Sequence, residues 1–182
     1  MFVAALAATL VPAIPKQVRI DAATRQTPAL SGMRDVAQTM PIVFDPQTLV
    51  VVAPDYLGPT VGYYARGERT TPIGFPHRTN PQLSRWDGYG DAWHEPGIVS
   101  SELAFLLERF DGRYDRLALL TDPRVVDRGT IPYSIVRLLQ RDLERRLPVV
   151  ERRTFPGRDE AVSVTIFAHP RNVQRRPSRS ST

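Results

Sequence analysis

Two aspartates in this sequence hold similar positions relative to short apolar runs. Asp55 follows the run at 49–53 and Asp122 follows the run at 117–120, and each aspartate has a proline beside it. If the two runs are neighbouring strands, both carboxylates lie at one rim of a sheet, where paired acids can bind a cation or transfer protons. The alternative is that each aspartate caps the turn after it, as aspartate often does. We favour the cap and predict no metal site, because no third ligand stands at a defined spacing.

Aromatic side chains supply a second possible chemistry. Tyr56 follows Asp55 directly, Tyr63 and Tyr64 stand together in the next predicted helix, and three more aromatics lie in the long loop 76–97. Such side chains can stack on a sugar ring or lie at a lipid surface, and they can equally anchor a loop or fill a core. The residue types leave both interpretations open. The candidate substrate-binding residues are Asp55, Tyr56, Tyr63, Tyr64, Trp86, Trp93, His94 and Asp122.

The other reactive groups form no recognisable catalytic centre. His77 and His94 lie in the long loop near acidic residues, but their spacing matches no known ligand pattern, and His169 belongs to no pattern either. The chain has no cysteine, which excludes thiolate chemistry, disulfides and cysteine-ligated zinc. It has no glycine-rich phosphate loop after a strand and no Gly-x-Ser-x-Gly motif. We therefore predict no cofactor and no catalytic residue.

The order of the elements that would position these residues predicts an α/β fold. An unbroken apolar run such as 49–53 is typical of a strand buried on both faces of a parallel sheet. Helices alternate with such strands, and the last two strands flank Pro156-Gly157 as a hairpin. We predict a parallel-centred open sheet of about five strands, with helices on both faces and an antiparallel C-terminal hairpin. The predicted strands are 49–53, 71–75, 117–120, 149–155 and 162–168, and the predicted helices are 33–40, 60–65, 100–110 and 130–147, with a loop at 125–129.

Composition indicates one globular domain with a basic end. The 182 residues, 42% apolar and 24% charged, are sufficient for a domain with its own core. The net charge is +5, but the last twelve residues carry four arginines and no acid, which leaves +1 for the rest. Nucleic-acid binding through this end of the chain is therefore the least favoured hypothesis.

The ends of the chain differ in composition from its middle. Residues 1–15 contain no charged side chain but are shorter than the roughly 20 residues that span a bilayer. We interpret them as the remnant of a transmembrane helix, with an imperfect signal peptide and a buried helix as alternatives. We interpret residues 16–30 as a connector, 31–170 as the α/β domain and 171–182 as a disordered basic tail.

The stretch 45–64 resembles the soluble extracytoplasmic region that follows the last membrane span in bacterial glycosyltransferases of family 39 type. These are multi-span, GT-C-like enzymes related to protein mannosyltransferases and the aminoarabinose transferase. The resemblance covers roughly residues 30–125. It rests mainly on Pro54-Asp55-Tyr56, Pro59 and Tyr63-Tyr64, and the segments 71–76 and 117–120 agree with it.

The resemblance implies a function beside a membrane. In that family the donor is a polyprenyl-phosphate sugar, and the catalytic acids lie on loops of the membrane part, to which nothing in this chain corresponds. It therefore implies a domain on the extracytoplasmic, periplasmic side that is accessory to glycosyl transfer and has no catalytic residue of its own. Its partners would be the membrane-embedded part of the enzyme and the lipid-linked sugar or its acceptor. The alternative hypothesis is a small stand-alone hydrolase that uses Asp55 and Asp122.

Overall fold

The computed structural model describes residues 31–65, 70, 72–76, 78, 91, 93–126 and 131–173. These residues form a five-stranded sheet with helices on both of its faces. The strands are β1 (Thr48–Val52), β2 (Ile73–Gly74), β3 (Arg116–Thr121), β4 (Val149–Phe155) and β5 (Val162–Ala168). The helices are α1 (Met33–Thr39), α2 (Gly58–Tyr64), α3 (Ile98–Arg113), α4 (Pro123–Val126), α5 (Ile131–Arg146) and α6 (Pro170–Val173). Single 3₁₀ turns at Pro41–Phe44 and Asp55–Leu57 lie before and after β1.

β1 lies inside the sheet, whose strand order is β2-β1-β3-β5-β4. It is parallel to both of its neighbours, β2 and β3, while β5 is antiparallel to β3 and to β4. All five residues of β1 are buried, as expected for an apolar run that is covered from both sides. The predicted fold class, an α/β sheet with a parallel centre and an antiparallel C-terminal hairpin, is confirmed.

Alternate residues of β1 belong to two different hydrophobic cores. Leu49 and Val51 pack with residues of α3 and α5, whereas Val50 and Val52 pack with residues of α1 and α2. This alternation is the period of two that a pleated strand imposes. The sheet therefore separates α1 and α2 on one face from α3 and α5 on the other.

The structure places the ends of α3 elsewhere than the sequence predicts. The helix begins after Gly97, whose φ of 79° suits a residue without a Cβ, and not at Ser100. It also continues through Gly112, which the sequence predicts as its stop. The helix ends where Tyr114 becomes extended and donates its backbone N–H to the carbonyl of Phe110.

The predictions for the two ends of the chain lie mostly outside the described residues. This applies to 1–15, to 16–30 and to the tail beyond Val173. The described residues of the predicted disordered tail, 171–173, belong to α6 and are helical. In the part of the chain that the structure describes, no helix combines the length and the apolar character needed to cross a bilayer.

Candidate functional site

The two aspartates singled out from the sequence lie beyond the same ends of β1 and β3. These strands are parallel neighbours, with Val52 opposite Leu120 at their last paired position, so the predicted shared rim is confirmed. Asp55 is 2% exposed and Asp122 is 4% exposed. In open α/β sheets, ligands bind at this rim, beyond the carboxyl ends of the strands.

Asp122 is held by several donors. Its Oδ1 accepts the backbone N–H of Arg124 at 2.9 Å and Nε of the same residue at 3.2 Å, while Oδ2 accepts Nη2 at 3.1 Å. Oδ2 also accepts the hydroxyl of Tyr56, which donates at 3.2 Å. The hydrogen bond to Asp122 raises the pKa of the Arg124 guanidinium above its ordinary value. The Asp122 carboxylate therefore caps the turn that follows it, which is the interpretation that we favour from the sequence. It is also the ion-pair partner of Arg124.

This cap also explains the difference between the predicted loop 125–129 and the structure. Asp122 accepts the backbone N–H two residues along the chain, at the start of α4, and Pro123 occupies the first position of that helix. Both features favour a helix start. Residues 125 and 126 are thus helical, and 127–129 lie outside the described residues.

Asp55 begins the 3₁₀ turn that follows β1. Its backbone N–H donates to the carbonyl of Phe75 at 2.9 Å, which joins the end of β1 to the chain after β2. Its side chain is buried. The position of Asp55 is that of a residue that fixes a turn between two strands.

Glu160 is a residue of this rim that the sequence analysis did not identify. It lies just before β5, where its Oε2 accepts the Thr60 hydroxyl of α2 at 3.0 Å and its backbone carbonyl accepts the N–H of Gly32 at 2.8 Å. Burial raises the pKa of the Glu160 carboxyl, and the hydrogen bond from Thr60 partly opposes that rise. No sequence motif marks this glutamate, because its partners come from distant parts of the chain.

A pair of tyrosines lies one turn after Thr60 on α2. The rings of Tyr63 and Tyr64 are in edge contact, with centroids 5.1 Å apart. Tyr63 is 61% exposed, whereas Tyr64 is half-buried, and burial raises the pKa of the Tyr64 hydroxyl. The charge of Glu160 contributes to the same rise. We call Thr60, Tyr63, Tyr64 and Glu160 the tyrosine–glutamate surface.

Trp93, the tryptophan of the long loop that the structure describes, does not extend this surface. Trp93 is 3% exposed and meets the ring of Phe75 edge-on, with centroids 5.7 Å apart. It packs in the core of α3 and α5, on the sheet face opposite α2. Trp93 therefore anchors its loop, which is the alternative that the sequence left open, and it is not placed to contact a substrate beside the tyrosines.

Among the remaining candidates, His94 belongs to the part of the chain that the structure describes. His94 is exposed one residue after the buried Trp93. Trp86, Tyr89 and His77 lie outside the described residues. Among the residues that are described, no three histidine, aspartate or glutamate side chains are grouped closely enough to hold a metal ion.

We expect Glu160→Gln to stabilise the fold at neutral pH. Because burial raises the pKa of Glu160 above its ordinary 4.5, the contribution of this carboxyl to stability is complete below that value and is lost as the pH rises through the raised value. Glutamine stays neutral and its carbonyl still accepts the Thr60 hydroxyl. Urea unfolding should show the variant gaining on the native chain as the pH rises above 4.5.

Glu108→Gln is the matched control for this experiment, because Glu108 is exposed on α3. It should leave the pH dependence of stability unchanged. If Glu160→Gln and Glu108→Gln give the same pH profile, burial of the Glu160 carboxyl does not govern its titration.

Comparison of the chain with models of protein families, with curated proteins and with solved structures finds no match. Fold and site define an α/β protein with a polar, aromatic surface at the carboxyl rim of its parallel strands. Its function is therefore argued from the chemistry of that surface.

Proposed function

We propose that this chain is an extracytoplasmic domain of a membrane glycosyltransferase that uses a polyprenyl-phosphate sugar, and that it is accessory to glycosyl transfer. The resemblance of residues 45–64 to such domains supports the proposal. This stretch contains β1, the turn after it and α2. The observation that carries the proposal is that the stretch ends in an exposed Tyr63 ring in edge contact with Tyr64, whose hydroxyl pKa is raised in part by the charge of Glu160.

The tyrosine–glutamate surface has the chemistry that a sugar requires. A sugar ring offers C–H groups to an aromatic face and hydroxyls to hydrogen-bonding groups. The exposed Tyr63 ring provides an apolar body with a polar tip. Thr60 and Glu160 are already joined by a hydrogen bond, so their positions are fixed before a ligand arrives, which reduces the entropy cost of binding. In this proposal the surface holds the donor or acceptor sugar near the membrane part of the enzyme.

The alternative hydrolase gains no support from the rim. A hydrolytic pair needs one carboxylate free to accept or donate a proton in reach of the substrate. The Asp122 carboxylate receives a backbone N–H, a guanidinium and a tyrosine hydroxyl, and it is 4% exposed. Its contacts stabilise a helix start, so sugar binding at the tyrosine–glutamate surface is the function that we propose.

We expect Tyr63→Ala to weaken binding of a short-chain polyprenyl-phosphate sugar by about fivefold to tenfold, the range that loss of an aromatic contact produces. Amide shifts in a two-dimensional NMR titration measure this, and they should change at residues 58–64 and 160. Tyr63→Phe keeps the ring and should bind nearly as well as the native chain.

Leu138→Ala provides the control, because Leu138 is a similarly exposed apolar residue on α5, across the sheet. It should bind like the native chain. Equal affinity of Tyr63→Ala and Leu138→Ala, or shift changes confined to residues away from α2, would contradict the proposal.

A further inference from the structure

A buried histidine lies at the opposite rim of the sheet, between β5 and α6. The side chain of His169 is 9% exposed, and its ring lies against that of Phe110 with centroids 5.2 Å apart. Its Nδ1 is 3.2 Å from the backbone N of Arg171, and its Nε2 is 3.1 Å from Oδ1 of Asp111. The backbone N–H of His169 donates to the carbonyl of Asp115 at 2.9 Å, which fixes the base of the side chain.

These contacts determine where the ring proton lies. The backbone N–H of Arg171 can only donate, so Nδ1 must present a lone pair to it. In a neutral ring the proton is then on Nε2, which donates it to the carboxylate of Asp111. His169 precedes Pro170, the first residue of α6, and accepts the N–H of the second residue. The neutral imidazole therefore acts as the N-cap of α6.

We propose that His169 is a proton-controlled latch that holds α6 when its ring is neutral and releases it when the ring is protonated. A proton added at Nδ1 changes this atom from acceptor to donor, and it then faces the N–H of Arg171. It also places a positive charge at the N-terminus of the helix, where charge of that sign is unfavourable. The imidazolium cannot cap α6.

The release is local because the ring keeps its other contacts. Nε2 donates to Asp111 in both protonation states, and the contact with Phe110 does not depend on charge. Protonation therefore frees the turn 170–173 without opening the core.

The charges around the ring do not cancel this effect. They come from the end of α3 and the turn after it, from the start of β3 and from α6: Asp111, Arg113, Tyr114, Asp115, Arg116 and Arg171. With His169, most of these residues line a cavity of about 210 Å³ that reaches solvent. The Asp111 side chain is 63% exposed, so water screens its attraction for the imidazolium. The attraction between Asp111 and the ring acts at Nε2, whereas protonation breaks the hydrogen bond between Nδ1 and the N–H of Arg171.

NMR spectra of the whole chain between pH 8 and 5 test the proposal, because histidine changes charge in this range. At high pH the ring ¹⁵N shifts should show the proton on Nε2, and the Cα shifts of residues 170–173 should be helical. On acidification the helical shifts should decrease with the same midpoint as ring protonation. Loss of a cap corresponds to a change of about fivefold in the ratio of closed to open turn.

Two variants separate the cap from the ion pair. His169→Asn places a side chain that caps helices without titrating, so the shifts of 170–173 should stay helical at every pH. Asp111→Asn keeps an acceptor for Nε2 but removes the charge, so the pH-dependent release should persist. The proposal is overturned if helical shifts survive ring protonation, if His169→Asn loses them with the native midpoint, or if Asp111→Asn abolishes the release.

Discussion

Replacing Gly157 by alanine is expected to lower the free energy of unfolding by about 3 kcal/mol, at the upper end of the usual cost of overpacking. A Cβ at this position would lie far inside van der Waals distance of the Glu160 carbonyl oxygen and 2.6 Å from the backbone N of Gly32. Both are backbone atoms, so no side chain can rotate away. The clash falls on the hydrogen bond that joins Gly32 to Glu160, which is itself worth about 1 kcal/mol. Urea unfolding measures the loss.

The same substitution should also disturb the tyrosine–glutamate surface. Movement of the backbone of Glu160 withdraws its carboxyl from the Thr60 hydroxyl, which is 3.0 Å away. Binding of the sugar should therefore weaken in any Gly157→Ala protein that remains folded. The position of Glu160 depends on this close approach of two glycines.

Gly112→Ala is the control for this prediction. Gly112 lies in α3 with no atom close to its missing Cβ, so alanine should raise helix propensity and stabilise the chain by about 0.5–1 kcal/mol. Gly32→Ala should resemble Gly157→Ala, because its Cβ would overlap the carbonyl of Phe155. A neutral Gly157→Ala would mean that the hairpin and α1 separate easily.

The sheet could be predicted from the sequence because its central strands are unbroken apolar runs. Runs of this kind are buried on both faces, and the run at 117–120 became the parallel neighbour of β1. The same logic placed Asp55 and Asp122 at one rim. The sequence does not reveal that the Asp122 carboxylate accepts hydrogen bonds from both Arg124 and Tyr56, because Tyr56 lies 66 residues away in the chain.

The missed residues have partners that only the fold brings close. Glu160 and Thr60 are 100 residues apart, and His169 and Asp111 are 58 residues apart. Neither pair leaves a periodic or local signal. The burial of Trp93 could not be predicted for a different reason. The glycines and prolines around it leave no periodicity to read, and the sequence does not reveal its contact with Phe75.

Arg124→Ala is expected to destabilise the chain by about 2–3 kcal/mol, somewhat less than the usual cost of breaking a buried ion pair. The Asp122 side chain is 5% exposed and would lose both guanidinium contacts. It would keep the backbone N–H of residue 124 and the Tyr56 hydroxyl, which limits the cost. The Arg124 side chain is 38% exposed, so water can partly replace it.

Arg145→Ala provides the matched control for Arg124→Ala. The pKa of the Glu160 carboxyl provides a second measurement. Arg145 is 60% exposed and pairs with Asp142 on the surface of α5, so its loss should cost at most about 0.5 kcal/mol. Arg124 also lowers the pKa of Glu160, so Arg124→Ala should raise that pKa further, whereas Arg145→Ala should not. Carboxyl ¹³C shifts followed against pH measure this. If the two variants lose equal stability and leave the Glu160 titration in the same place, Arg124 and Glu160 are not electrostatically coupled at the rim.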